Sequence, residues 1–318
     1  MNNIQNSNFI ILKNILITVI IIFSSRCSGQ YDTPEKINNL IAFSKLYGYI
    51  QFFHPSDEAS EIDWDKFLIY GINRIEQIKQ HDSLKYILED LFLPIAPTLQ
   101  IIISNNIDTL QIISCENQIK KYSKHNLISW EHIGYGGNNN VPFKSERNNK
   151  YSKFEIKKKQ LNKDLCCIFP NGLYRNKKKT FPQSERKKNK ILKNELKKVA
   201  FLENDNHSVL IANVIKTWNV LQHFFPYFEN LKLDWDAQQV DAFKRIHSKN
   251  YNQQEILNYL TEPLKDSHIR IYDKKTSEIY FPPIVWRVVE NKVVVTKVLD
   301  DSLDIKIGDI ILEIKVKF

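Results

Sequence analysis

One stretch of this chain is written twice. Phe52-Phe53-His54-Pro55, running on to Ile62-Asp63-Trp64-Asp65, returns as Phe224-Phe225-Pro226, running on to Leu233-Asp234-Trp235-Asp236. Pro55 and Pro226 stand 171 positions apart, and Gln51/Gln222, Phe53/Phe224, Trp64/Trp235, Arg74/Arg245 and Ile75/Ile246 keep that spacing without a gap. Two segments that share residues in register must fold alike, so the chain contains two copies of one module.

The residue pattern gives each copy as helix, stop, helix. Leu40, Phe43, Tyr47 and Ile50 fall on one helical face in the first copy, as do Val214, Trp218, Leu221 and Phe225 in the second. The proline then ends the helix. Asp63 or Asp234 is placed to cap the next helix, Trp follows as an anchor, and the second Asp suits the positive helix start. Beyond it Trp64, Phe67, Leu68, Ile72 and Ile75 form an apolar stripe, and a third helix is expected over about 83–92 and 253–264. Thr33-Pro34 and His207-Ser208 are the expected starts of the two modules. Caps and buried Trp account for every residue of the Asp-Trp-Asp boxes, so those boxes are read as structural.

The rest of the chain divides by texture. Lys13 precedes an apolar run, Ile15 to Phe23, too short to span a bilayer and followed by small residues, which reads as a secretory signal over 1–29. Cleavage near Gly29/Gln30, or lipid attachment at Cys27, are the two expected ends. Helical module 1 then covers 30–95, a β-rich segment with a basic linker 96–200, helical module 2 201–268, and a last β domain 269–318. In the β-rich part, Leu99–Ile103 and Thr109–Ile113 are expected as a hairpin, and 153–157 and 165–169 as strands. Trp130–Gly137 is expected as a flexible loop, and Arg175–Lys198 as exposed turn leading into a polar helix. In the last domain the expected strands are 269–272, 279–281, 285–289 and 293–298. The fold class is therefore α+β.

Charge and motifs narrow the function. The formal charge of +9 is densest between Lys144 and Lys198 and reads as solvated lysine surface, so no nucleic-acid partner is expected. Cys115, Cys166 and Cys167 are odd in number and two are adjacent, which is not a disulfide framework. With 8 Gly in the chain, a phosphate cradle has nowhere to form. No G-x-S-x-G, H-E-x-x-H or paired C-x-x-C occurs, and the histidines show no ligand spacing, so neither cofactor nor metal is expected. His54, His223 and His247 read as core or surface residues of helical segments.

Ile307-Gly308-Asp309-Ile310-Ile311-Leu312-Glu313-Ile314 resembles the Gly-Leu-Lys-Pro-Gly-Asp-Val-Ile-Leu-Glu-Ile segment of PDZ domains in secreted C-terminal-processing (tail-specific) serine peptidases. Leu46-Tyr47-Gly48-Tyr49-Ile50, the Asp-Trp-Asp boxes and Trp218-Asn219-Val220-Leu221-Gln222-His223 resemble the N-terminal region of bacterial members. The likeness runs from about 34 to 314 in family order. It implies that 269–318 is an incomplete PDZ-like domain. Asp266-Ser267-His268 resembles the family's Asp-Gly-His, which makes His268 the one catalytic candidate, although Ser267 stands in place of the glycine.

In that family the nucleophilic Ser, and the Lys that takes its proton, belong to an α/β core after the PDZ domain. No residue of this chain matches either. The resemblance thus implies the substrate-recognition portion of an exported peptidase, with polypeptide substrates or protein C-termini as partners and no hydrolysis by these residues alone. A non-catalytic envelope adaptor that binds peptide or protein is the alternative.

Overall fold

Each repeat folds as a long helix, a tight connector and two further helices. The computed structural model describes residues 32–78, 83–104, 109–133, 144–150, 152–200, 202–248, 251–266, 268–271 and 282–313. The expected signal segment with Cys27, and the expected strand 279–281, lie outside them. Module 1 consists of α1 (Asp32–Phe53), a single turn α2 (Asp57–Ser60), α3 (Trp64–Glu76) and α4 (Ser83–Phe92). Asp63 caps α3 by accepting from the Lys66 N–H at 3.1 Å. Thr33 lies inside the first turn of α1 instead of capping it; Pro34 is tolerated there because first-turn N–H groups have no intrahelical partner. Phe43, Phe67, Leu68, Ile72, Leu88 and Phe92 are fully buried. Burial of each such side chain contributes about 1.5–3 kcal/mol.

Two short sheets follow. β1 (Gln100–Ile103), β5 (Leu165–Pro170) and β4 (Ile156–Gln160) make one antiparallel sheet in the order β1-β5-β4. β2 (Asn126–Ile133), β3 (Lys144–Asn148), β6 (Gly172–Arg175) and β7 (Thr180–Phe181) make the other, in the order β3-β2-β6-β7. β5 is buried along its whole length, and Cys115, Cys166 and Cys167 are free thiols in the core.

The expected hairpin partner Thr109–Ile113 is instead the start of helix α5 (Thr109–Lys120). Its apolar residues, Ile112, Cys115 and Ile119, recur at helical spacing and pack on Ile102, Ile168 and Leu173. A β-branched run shorter than that period misled the local reading. Trp130–Ile133, expected as loop, continues β2, because Trp130 and His132 alternate toward the end of α1. Residues 134–143 of the expected loop lie outside the described residues. β4 is displaced from 153–157 to Ile156–Gln160, where it pairs with β5.

The Lys-rich stretch is no loose linker. Buried Thr180 and the first turn of α2 exchange two hydrogen bonds, Thr180 N to Asp57 Oδ2 at 2.7 Å and Asp57 N to Thr180 Oγ1 at 3.0 Å. Helix α6 (Arg186–Lys197) then buries Leu192 and Leu196 and donates Asn189 Nδ2 to the Pro94 carbonyl at 2.8 Å.

Module 2 is α7 (His207–Phe224), a 3-10 turn at Phe228–Asn230, α8 (Trp235–Ser248), α9 (Gln253–Thr261) and a closing 3-10 turn at Glu262–Leu264. Asn206, one residue ahead of the expected start, caps α7 with its side-chain oxygen on the Ser208 N–H. Asp234 caps α8 through the Ala237 N–H at 2.9 Å.

The modules pack on each other about an approximate two-fold axis, which shows in reciprocal contacts between equivalent positions. Lys45 Nζ meets Asp236 at 2.6 Å and Lys216 Nζ meets Asp65 at 2.7 Å. The Phe52 ring meets Phe224 edge-on at 5.0 Å, and the His223 ring meets Phe53 edge-on at 5.0 Å. On the axis Gly48 faces its own counterpart, Asn219. A Cβ on Gly48 would lie 1.8 Å from Asn219 Oδ1, so only glycine fits there.

Residues 271–318 form a second compact unit. β8 (Ile284–Val289) and β9 (Lys292–Val298) are joined at Glu290-Asn291, both at positive φ, as a two-residue hairpin turn requires. β10 (Ile310–Ile311) pairs with the other side of β9 after Gly308, whose φ of +97° suits glycine. Residues 269–271, the described part of the first strand expected in this region, pair with no strand.

Candidate functional site

Helix α1 ends in a set of carbonyls that the two-stranded β2–β3 arm satisfies with side chains. His132 Nε2–H donates to the Phe52 carbonyl at 2.5 Å, Trp130 Nε1–H to His54 at 3.1 Å, and Arg147 Nη1 to Pro55 at 2.9 Å. Arg147 also reaches Asp57 at 2.8 Å. Because His132 donates through Nε2, its Nδ1 accepts the Ser145 hydroxyl at 2.8 Å.

This is a serine–histidine contact, but the third member is a backbone carbonyl. Burial lowers the His132 pKa, which favours the neutral imidazole over an imidazolium. The rings of Phe52, Phe53, His223 and Phe224 enclose the arm. Burial, with help from Lys159 and His132, lowers His223 to about 4. The junction is an apolar, neutral cage that positions the arm.

His54 is wholly buried and fully partnered. The Ser56 hydroxyl donates to the Ile95 carbonyl at 2.5 Å, so it accepts from His54 Nδ1–H at 3.0 Å. Nε2 then accepts from Thr98 Oγ1 at 2.8 Å. One neutral tautomer satisfies every bond, and burial lowers the pKa to about 3.

His268, the catalytic candidate, stands at the end of module 2 with 93% of its side chain exposed. Asp266 Oδ1 accepts from its backbone N–H at 2.9 Å and faces its Nδ1 at 2.8 Å. Those two bonds hold the Asp266 carboxyl below its usual range. The pair is a local turn, and solvent surrounds the ring. The basic stretch contributes an open cleft of about 510 Å³ lined by Lys124, Arg147, Arg175 and Lys177. Arg147 and Arg175 are partly neutralised in it by Asp57, at 2.8 and 3.4 Å.

The structure also assembles a group that residue spacing does not announce. Glu76 Oε1, at the end of α3, meets His207 Nε2 at 2.9 Å and His247 Nε2 at 3.2 Å. The donor atoms lie within 4.8 Å of one another. The expectation that the histidines lack ligand geometry holds along the chain and fails in space for these two. Glu76 and His247 are equivalent in the repeat, and they meet because both lie close to the axis that relates the two copies.

No helix among the described residues is long and apolar enough to cross a membrane. No family model matches the chain, and neither a curated protein nor a solved structure does.

Proposed function

We propose that this chain is the polypeptide-recognition portion of an exported tail-specific serine peptidase, and that it binds extended polypeptide without hydrolysing it. The carrying observation is the second unit. Ile307-Gly308-Asp309-Ile310 folds as a glycine turn into a strand, with Gly308 N–H bonded to the Val295 carbonyl at 2.9 Å and Val295 N–H to Asp309 at 2.8 Å. That turn and strand support the PDZ-like reading of this stretch. Order β10-β9-β8 leaves the outer side of β8 without a strand partner among the described residues, and Val288 on it is 71% exposed. An extended peptide pairs with such an edge through its backbone, and its apolar side chains cover those of the strand.

The test has two arms. Fluorescence anisotropy of a labelled peptide with an apolar, free C-terminus should show saturable binding that Val288→Lys weakens. Incubation with an unfolded polypeptide should give no cleavage. Turnover that survives both His268→Ala and a serine-reactive inhibitor would overturn the reading. Peptide binding insensitive to Val288→Lys would favour the adaptor, with recognition in the helical modules.

A further inference from the structure

We propose that Glu76, His207 and His247 form a binding site for a divalent transition-metal ion, zinc by preference, that fastens module 1 to module 2. One ligand comes from the end of α3, one from the first turn of α7 and one from the last turn of α8, so no single helix could hold the ion.

The donor atoms already have the right arrangement. Two Nε2 atoms face one carboxylate oxygen at 2.9 and 3.2 Å. Ligands bound at about 2.0–2.1 Å in a tetrahedral shell are separated by about 3.3 Å, so an ion needs only small adjustments to enter. The imidazole rings are perpendicular, at 88° with centroids 4.9 Å apart, so they do not stack face to face.

The orientation of His247 is fixed from behind: Nδ1–H donates to the Phe243 carbonyl at 2.8 Å, so an ion would take the place of the proton that Nε2 shares with Glu76. Metal-binding histidines are commonly held by such an outer bond. Two imidazoles and a carboxylate suit zinc and its neighbours, whereas calcium and magnesium prefer all-oxygen shells. His207 is the exposed member, with 45% of its side chain in solvent, and gives the ion its entry path. Three protein donors leave a fourth position for water or an external ligand.

The experiment uses the full chain with zinc chloride and cobalt chloride as probes. Zinc should raise the melting temperature in a concentration-dependent way, since an ion bound only by the folded state stabilises it. Glu76→Gln and His207→Ala should each weaken affinity on the order of 100-fold. The cobalt complex should show weak d–d bands without a thiolate charge-transfer band, which separates this site from the three core cysteines. The proposal is overturned by any of three results: no zinc-dependent stabilisation, affinity unmoved by Glu76→Gln and His207→Ala, or a thiolate band. His207 is exposed on the first turn of its helix, so its loss should leave the fold intact, and the cobalt spectrum of the unaltered chain decides independently of any variant.

Discussion

The two helix connectors start from the same instructions and end in opposite environments. In module 1 the connector after α1 is buried, with His54 and Ser56 at 0% exposure beneath Trp130 and Arg147. In module 2 the equivalent positions are Phe225 and Tyr227, and Tyr227 is 56% exposed. Proline stop, aspartate cap and tryptophan anchor are shared, and so is the backbone plan. Burial comes from the β2–β3 arm, which lies over one copy and has no equivalent over the other among the described residues. Local signals set where helices begin and end, and the rest of the chain sets what each connector must be made of.

The cores differ in the same spirit. Module 1 pairs Phe43 with Gly71, where a Cβ would lie 2.3 Å from the Phe43 ring. Module 2 has Val214 and Ala242 at those positions, both buried. Large with none has become medium with small, a trade that keeps volume roughly constant. Tyr47 and Trp64 meet edge-on at 5.3 Å in one module, whereas Trp218 and Trp235 in the other donate their indole N–H groups to each other's carbonyls at 2.8 and 3.2 Å.

The exchange of core pairs should have the largest effect. Phe43→Ala should cost about 3–5 kcal/mol in urea unfolding. Phe43→Val and Gly71→Ala should each destabilise, and the double variant, which imports the module 2 pair, should recover about 1–3 kcal/mol of their sum. Strict additivity would show that the two modules do not trade volume at this contact.

Next comes the buried histidine. His54 has a depressed folded pKa of about 3, so the unfolded chain binds a proton below about pH 6.5 while the folded chain does not. Stability should therefore fall as pH drops from about 6.5 toward 3, with His223, at about 4, adding in the same direction. His54→Phe, the module 2 residue, should cost about 1–3 kcal/mol at pH 7 by removing the acceptor of the buried Thr98 hydroxyl, yet flatten the acid slope. An unchanged slope in denaturation at several pH values would remove His54 from this account.

Smaller effects follow from features the copies share. Asp63→Ala and Asp234→Ala should each lose ~1 kcal/mol, and nearly equal losses in thermal melts would confirm that capping is indifferent to context. Lys216→Ala should change stability by less than ~0.5 kcal/mol, with the difference fading in salt, because its pair with Asp65 is exposed.

The Asp63 and Asp234 caps and the apolar stripes of both modules were legible because they depend on residues a few positions apart, whereas the caps at the two module starts were misplaced. The third helix of module 1 runs Ser83–Phe92, the span its apolar spacing implied. Strands were legible where they stay apolar, as in Leu165–Phe169, and illegible where their partners lie far along the chain. Lys144–Asn148 has no apolar pattern and is a strand only because β2 lies beside it. Thr109–Ile113 shows the converse, a β-prone run overruled by the longer period that packs α5 on its sheet. The Glu76 cluster was invisible because its members come from three helices, and only the contact between copies brings them together.

Gly48 opposite Asn219, and Glu76 opposite His247, have a bearing on self-association. Were either module to meet a twin of itself by this surface, two asparagines would collide or two glycines would leave a hole. Two glutamates would likewise repel. These pairs favour a seam between unlike modules over one between like modules.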